Sequence, residues 1–374
     1  MVTISRMMLA LAISIALPIR SNAQAGGAAG AVFVMTNAAD KNEIIAYQRN
    51  TDGSLGRSRR FSTGGRGSGG TIDPLASQGS LTLTDDRSFL LAVNAGSGEI
   101  SVFRVHQAAL ELVEITPCGG SEPIAVAQRG NLVYVVNAGG TSNVVGFYLG
   151  RNGKLQRIPN AIAFLTTANS GAASLSFSPD GGALLVTEKV TNRIDAFQVR
   201  VNGTLGPIVA SPAGGPGTFA VSFAPNGAAL VAETGPAGGN NASAISSYAV
   251  LPDLTLSALS PSVPTFGAAT CWLAVAPNGR FVYTSNAGSS TISGFAVGTN
   301  GVLSPLGSTI LATLPAGSAN LDIAITPDGK FLYSLDSGTG IVSIFGIAED
   351  GQLTALGEVP SFHAAAGANG IAAN

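Results

Sequence analysis

The chain has 374 residues, with 19 Lys and Arg against 21 Asp and Glu and a formal net charge of −2. That balance gives no electrostatic footprint for a phosphate backbone and excludes nucleic acid as a partner. Apolar residues make up 45%, and 49 glycines recur without a Gly-X-Y period, which excludes disorder and a collagen helix.

The chain opens on Arg6 and an apolar run over Met7–Leu17, broken by Pro18 and followed by Ser21-Asn22-Ala23-Gln24-Ala25. This is the pattern of a cleaved secretory leader over residues 1–25, and it predicts a secreted or periplasmic protein. The run is too short for a bilayer, which needs about 20 residues, and no second long apolar run follows, so the chain is not expected to span a membrane.

From residue 26 onward one sentence repeats. Val32–Asn37 reads as a strand with no partner before it. Looser copies follow at Leu81–Asn94 with Ile100–Val105, and at Ile124–Asn137 with Val144–Leu149. The clearest copy runs Leu175–Gly181, Ala183–Glu188, Ile194–Val199, Asn202–Leu205. It returns at Val221–Gly227, Leu230–Glu233 and Ile245–Val250, and again from Leu273 and from Ile323. An aromatic residue closes each third strand: Tyr47, Phe103, Phe147, Phe197, Tyr248, Phe295 and Phe345, spaced about 50 residues apart. Three β-rich runs bounded by Asp-Gly, Asn-Gly or Asn-Ala-Gly turns, plus a fourth strand in the variable stretch, spell a propeller blade. The chain ends on Asn369–Asn374, which reads as a first strand without a second. The expectation is therefore an all-β, seven-bladed β-propeller in one domain over 26–374, its ring closed when the carboxyl-terminal strand completes the amino-terminal blade.

In such a ring the first strand of each blade lines the channel. Counting back from Ser-Pro-Asp-Gly and its equivalents places Gly79, Glu122, Ala173, Phe219, Cys271, Leu321 and Asn369 at the channel entrance, with Trp272 in the next row. The second strands end on Asn37, Asn94, Asn137, Glu188, Glu233, Asn286 and Asp336. One oxygen-bearing side chain per blade suits a polar ligand or a hard divalent cation such as calcium, while Asn in Asn-Ala-Gly also suits simple turn chemistry. Glu188, Glu233 and Asp336 depart from the repeat. Trp272 either floors a ligand pocket or plugs the taper between blades. Arg57, Arg59, Arg60 and Arg66 form either an anion site or a solvated strand face with a mobile loop. Cys118 and Cys271 read as two small hydrophobes, a bridge being the lesser alternative. His106 and His363 are the sole histidines and have no zinc spacing, so no cofactor beyond a divalent cation is indicated.

Gly79-Ser80-Leu81-Thr82-Leu83, Phe89–Gly96 with Ile100-Ser101-Val102-Phe103, and the recurrent Ser/Ala/Thr-Pro-Asp/Asn-Gly-x-Phe/Leu-x-Tyr resemble the seven-bladed lactonase family, which includes 6-phosphogluconolactonase and carboxymuconate-cyclizing types. The resemblance covers nearly all of 26–374. It implies a histidine, two arginines and a glutamate around the channel mouth. In this sequence the histidine slot falls at or beside Ala173, the arginine slots fall at Phe219 and Ala287, and the glutamate slot falls at Glu233. Without two arginines a phosphorylated or carboxylated lactone has no bidentate grip. Without the histidine, a base near neutrality must be a carboxylate of raised pKa, with Glu233 or Glu188 the candidates. Two functions remain open. One is an exported lactonase-like enzyme for a small neutral cyclic ester, with Asn94, Asn137 or Asn286 polarising the carbonyl. The other is a non-catalytic propeller that binds a small ligand or a partner protein at the same mouth, where Asp336, Trp272 and Glu122 also stand.

Overall fold

The computed structural model describes residues 28–236 and 241–374; the expected leader over 1–25 lies outside them. The described residues form 28 strands in seven antiparallel sheets of four. Strands form because each run alternates β-branched and aromatic residues between turns that hold themselves. In Ser178-Pro179-Asp180-Gly181, Asp180 accepts Ser178 Oγ at 2.5 Å and Gly182 N at 3.0 Å, and Gly181 takes the positive φ of +76° that the turn requires.

The first strand of every sheet lies on its inner edge: Ile371–Ala373, Leu81–Leu83, Pro123–Arg129, Ala172–Phe177, Thr218–Phe223, Thr270–Val275 and Asn320–Ile325 for blades 1 to 7. Each touches the first strand of the next blade, and the series returns to its start. This is a seven-bladed β-propeller. The seam closes as expected: Val32, Phe33 and Val34 pair antiparallel with Ala373, Ala372 and Ile371. Closure leaves no free sheet edge at the seam.

The second strands, such as Phe89–Asn94 and Ala183–Glu188, are buried along their whole length, and Phe103, Phe147, Phe197 and Phe295 are buried between blades. The tyrosine of the repeat adds a tie across the gap. Tyr134 donates to Gly203 O at 2.7 Å, Tyr283 to Gly351 O at 2.9 Å and Tyr333 to Gly53 O at 2.7 Å, each reaching the glycine turn of the following blade. The last of these crosses the ring seam.

Two register expectations are corrected. Pro123 pairs with Asn137 as Ala172 pairs with Glu188, so the channel-entrance position of blade 3 is Ile124. Glu122 is an exposed loop residue at φ +55° just before the strand. In blade 1, Val32 opposite Tyr47 places the second-strand end at Thr36 and puts Asn37 one residue beyond it. Both shifts arise where the turns lack Pro-Asp-Gly, so counting from that motif loses its anchor. Cys118 and Cys271 are both buried and free.

Replacing Tyr333 by Phe removes the seam bond and strands Gly53 O. Urea unfolding should show a loss of about 1–2 kcal/mol. An unchanged midpoint would mean that the seam does not depend on this tie.

Candidate functional site

The connection between blades 1 and 2, residues 63–80, is the longest irregular segment described, and it decides what the channel mouth looks like. Gly69 N bonds Asn37 O at the rim of blade 1, and the chain then runs across the mouth. Ser337 Oγ donates to Ile72 O at 2.7 Å, Ser77 Oγ to Ile124 O at 2.9 Å and Gln78 N to Ala173 O at 3.0 Å. Gln78 then uses its side-chain amide as a peptide group would. Its Nε2 donates to Leu273 O and its Oε1 accepts from Leu273 N, both at 2.9 Å. Blades 1, 3, 4, 6 and 7 thus all hold one segment, which forms a cork. Ile72 and Ala76 take φ of +61° and +45°, costly for residues with a Cβ, and the carbonyl of each is fixed by a hydrogen bond.

Trp272 belongs to this cork. It is 1% exposed, sits edge-on to Phe219 at 5.1 Å and donates Nε1 to Ser77 O at 2.9 Å. It therefore plugs the channel. The loop after Arg60 is pinned at several points, contrary to the expectation of a mobile one.

Above the cork stands a pair that sequence reading missed. Asp73 Oδ1 accepts Ala76 N at 3.0 Å and Asn369 Nδ2 at 2.9 Å, and among the described residues Oδ2 has no donor. Lys189 donates to Ala76 O at 2.8 Å and lies over the Phe219 ring at 5.5 Å. A single residue, Ala76, thereby ties carboxylate and ammonium to one another. Burial pushes the Asp73 carboxyl up to about 6, with Lys189 opposing, and burial pushes the Lys189 ammonium down. Lys189 had a signal: it replaces the alanine of Asn-Ala-Gly at 95, 138 and 287. Asp73 had only its place in a long connection.

The ring of second-strand ends is buried, and its members stay in separate blades. Asn94 accepts Asn42 Nδ2 at 3.0 Å and Thr63 Oγ1 at 2.7 Å and donates to Ser101 at 2.8 Å. Asn286 accepts Thr270 Oγ1 and donates to Thr291 and Ser293. Asn137 donates to Asn143 at 3.0 Å, while its Oδ1 is unpartnered. Asp336 accepts Ser334 and Ser343, and burial pushes it up to about 7. Glu233 accepts Ser246 and Ser262, both at 2.6 Å, and lines a cleft of about 200 Å³ with Ser243 and Pro264. The incoming loops pass glycine over these side chains: a Cβ at Gly65, Gly120 or Gly267 would come within about 2.6 Å of Asn94, Asn137 or Asn286. Among the described residues no three His, Cys, Asp or Glu side chains group as metal ligands, so Glu188, Glu233 and Asp336 do not assemble the expected cation site.

Glu188 accepts Thr166 N at 2.9 Å, Thr166 Oγ1 at 2.6 Å and Thr191 Oγ1. Burial alone would raise its pKa, but these donors together with Asp195 hold it below the usual carboxylate range. Asp195 stands seven residues on, where Asn94, Asn286 and Asp336 find Ser101, Ser293 and Ser343. Both Asp195 oxygens are buried without a donor, and burial with Glu188 alongside pushes its pKa up to about 8. Burial beside Glu188 thus favours the neutral form of Asp195 and the ionised form of Glu188.

The sequence profile described as lactonase, 7-bladed beta-propeller, matches residues 32–164 and 233–369. No curated protein matches the chain in sequence. Among solved structures, the Pseudomonas aeruginosa periplasmic gluconolactonase superposes with a TM-score of 0.66 at 16% identity, over 91% of this chain and 98% of that one. A Lactobacillus plantarum protein gives 0.68 at 16% identity, over 92% and 98%. A Bacteroides fragilis protein provisionally assigned as a 6-phosphogluconolactonase gives 0.67 at 16% identity, over 93% and 99%.

Because the folded state keeps a proton on Asp195 that the unfolded chain releases near pH 4, this group stabilises at low pH and its contribution is lost as pH rises through about 8. Between pH 6 and 9 the wild-type melting temperature should fall relative to Asp195→Asn, whose amide donates to Glu188 without titrating. Parallel pH curves for the two proteins would refute a protonated Asp195 in the folded state.

Proposed function

The chain belongs to the seven-bladed β-propeller lactonase family, and from that premise we propose that it is an exported hydrolase of a small neutral cyclic ester, acting at the channel mouth above the cork. The observation that carries this reading is the Asp73–Ala76–Lys189 arrangement. It presents a carboxylate with one oxygen free of protein donors and an ammonium held by the same residue. Asp73 takes a proton from water as the water oxygen attacks the ester carbonyl. Lys189 donates to the oxyanion that develops, and Asn369 fixes the orientation of Asp73. The ring C–O bond then breaks, and the departing alkoxide takes the proton from Asp73. Glu188 and Glu233, the sequence candidates for this base, have carboxylates already engaged by hydroxyl donors. At the mouth the Lys189 ammonium feels the carboxylates of both Asp73 and Glu122, and Ala287 and Phe219 stand where the resemblance implies arginines, so a neutral ester fits better than a phosphorylated one. Export is supported by the leader pattern at 1–25 and by one structural relative described as periplasmic.

The cork favours a second reading, a non-catalytic propeller that binds a ligand or a partner protein at this mouth, because Trp272 and Gln78 close the path through the ring.

A panel of neutral lactones assayed with the purified protein separates the two. Hydrolysis should be present, kcat/KM should rise with pH through about 6 as Asp73 loses its proton, and Asp73→Asn should lower kcat by roughly 10²–10⁴-fold. Glu233→Gln should leave it within about threefold, the change expected of a group outside the proton path. Absence of turnover on every lactone would leave the binding reading, and a collapse in Glu233→Gln with Asp73→Asn active would move the base to Glu233.

A further inference from the structure

The cork divides the channel, and the half below it opens on the opposite face of the ring. There Gln78 and Gly79 floor a well of about 480 Å³ between the first strands of blades 2 to 5. Ser174, Ser176 and Ser222 line it, and among the described residues none of their hydroxyls has a protein hydrogen-bond partner. Ser174 is nevertheless only 2% exposed. Ser176 and Ser222 are half-buried, and three hydroxyls opening on one cavity can exchange hydrogen bonds with hydroxyl groups of a ligand. The charges at the rim, Asp85 and Arg129, stand 3.8 Å apart and cancel. Through Ser178, Pro179, Phe223 and Pro225 the well continues into a groove of about 710 Å³ between blades 4 and 5. That groove carries Gln198 and Asn226 as amides, Phe223 and Leu254 as apolar surface, and Asp180 and Asp253 as its charges. The carboxylates disfavour an anion. Uncharged hydrogen-bonding groups interleaved with an aromatic face suit a ring with polar edges and apolar faces.

We propose that this face is a second binding site, separate from the mouth, for a neutral sugar chain whose terminal ring enters the well while the next units lie along the groove. The family profile skips residues 165–232, which include Ser174, Ser176, Ser222 and Phe223. The rest of the lining, from Gln78 to Asp85 and Val126 to Arg129, lies within a matched stretch. The site does not depend on hydrolysis at the mouth.

Binding of glucose, cellobiose, cellotriose and maltotriose to the full chain, followed by calorimetry and ligand-observed NMR, tests the proposal. At least one trisaccharide should bind, and about tenfold or more tighter than glucose. The triple variant Ser174→Ala, Ser176→Ala, Ser222→Ala, which keeps the well open, should weaken binding by about tenfold or more, two to three hydrogen bonds' worth. Ser222→Trp, which fills the well, should abolish it, with circular dichroism and melting confirming that both variants fold. Asp73→Asn should bind as wild type. No binding by any of the four sugars, or wild-type affinity in the triple-alanine variant, overturns the site. Loss of binding in Asp73→Asn would move it to the mouth.

Discussion

Every blade of this propeller presents the unpaired edge of its first strand to the channel, and the molecule depends on how those edges are satisfied. A backbone N–H or C=O buried without a partner costs as much as a lost hydrogen bond. Here one segment answers for several blades at once. Ser77 and Gln78 supply the partners of Ile124, Ala173 and Leu273, and Trp272 seals what remains of the bore. The cork is therefore structure and boundary together. It fixes the height of Asp73 and Lys189 above it, and it floors the well below.

The chemistry at the two ends follows from that division. Above, Ala76 sits in a strained conformation and spends its N–H on Asp73 and its C=O on Lys189, so a backbone position sets the spacing of two opposite charges. Below, the hydroxyls of Ser174, Ser176 and Ser222 open on the well. The ring of second-strand ends, which has the look of a ligand shell in the sequence, serves a different end. Its amides and carboxylates are buried and, Asn137 apart, bonded to hydroxyls of nearby strands and incoming loops, with glycines pressed against three of the asparagines. Much of the glycine excess has its cause there and in the blade turns. In blade 4 the same site holds Asp195 where blades 2, 6 and 7 hold Ser101, Ser293 and Ser343, and the exchange sets a second carboxyl beside Glu188 in place of a hydroxyl.

The blade repeat was legible because each strand and turn is local: Asp-Gly and Asn-Gly turns, two-residue alternation, and one aromatic per blade at constant spacing. So was the split blade, since Val32–Asn37 and Asn369–Asn374 each lack a neighbour in sequence. The site was legible only in part. Asn94, Asn137, Glu188, Glu233, Asn286 and Asp336 all end second strands as their register implies. Glu122 does not stand at the entrance, because blade 3 lacks the Pro-Asp-Gly anchor from which the register was counted.

The sequence by itself determined the number of blades, the order of strands within them and the closure of the ring, since all three are repeated or paired local patterns. It also showed that Ala173, Phe219 and Ala287, where the resemblance implies a histidine and two arginines, carry neither. Tertiary structure alone decided where the connection 63–80 goes, because nothing in an unrepeated loop encodes the five blades that will hold it. With that path came the Asp73–Lys189 pairing through Ala76, the burial of Trp272 and the two separate compartments. Each joins residues more than 100 positions apart or from several blades at once, and such contacts exist only after the ring has closed.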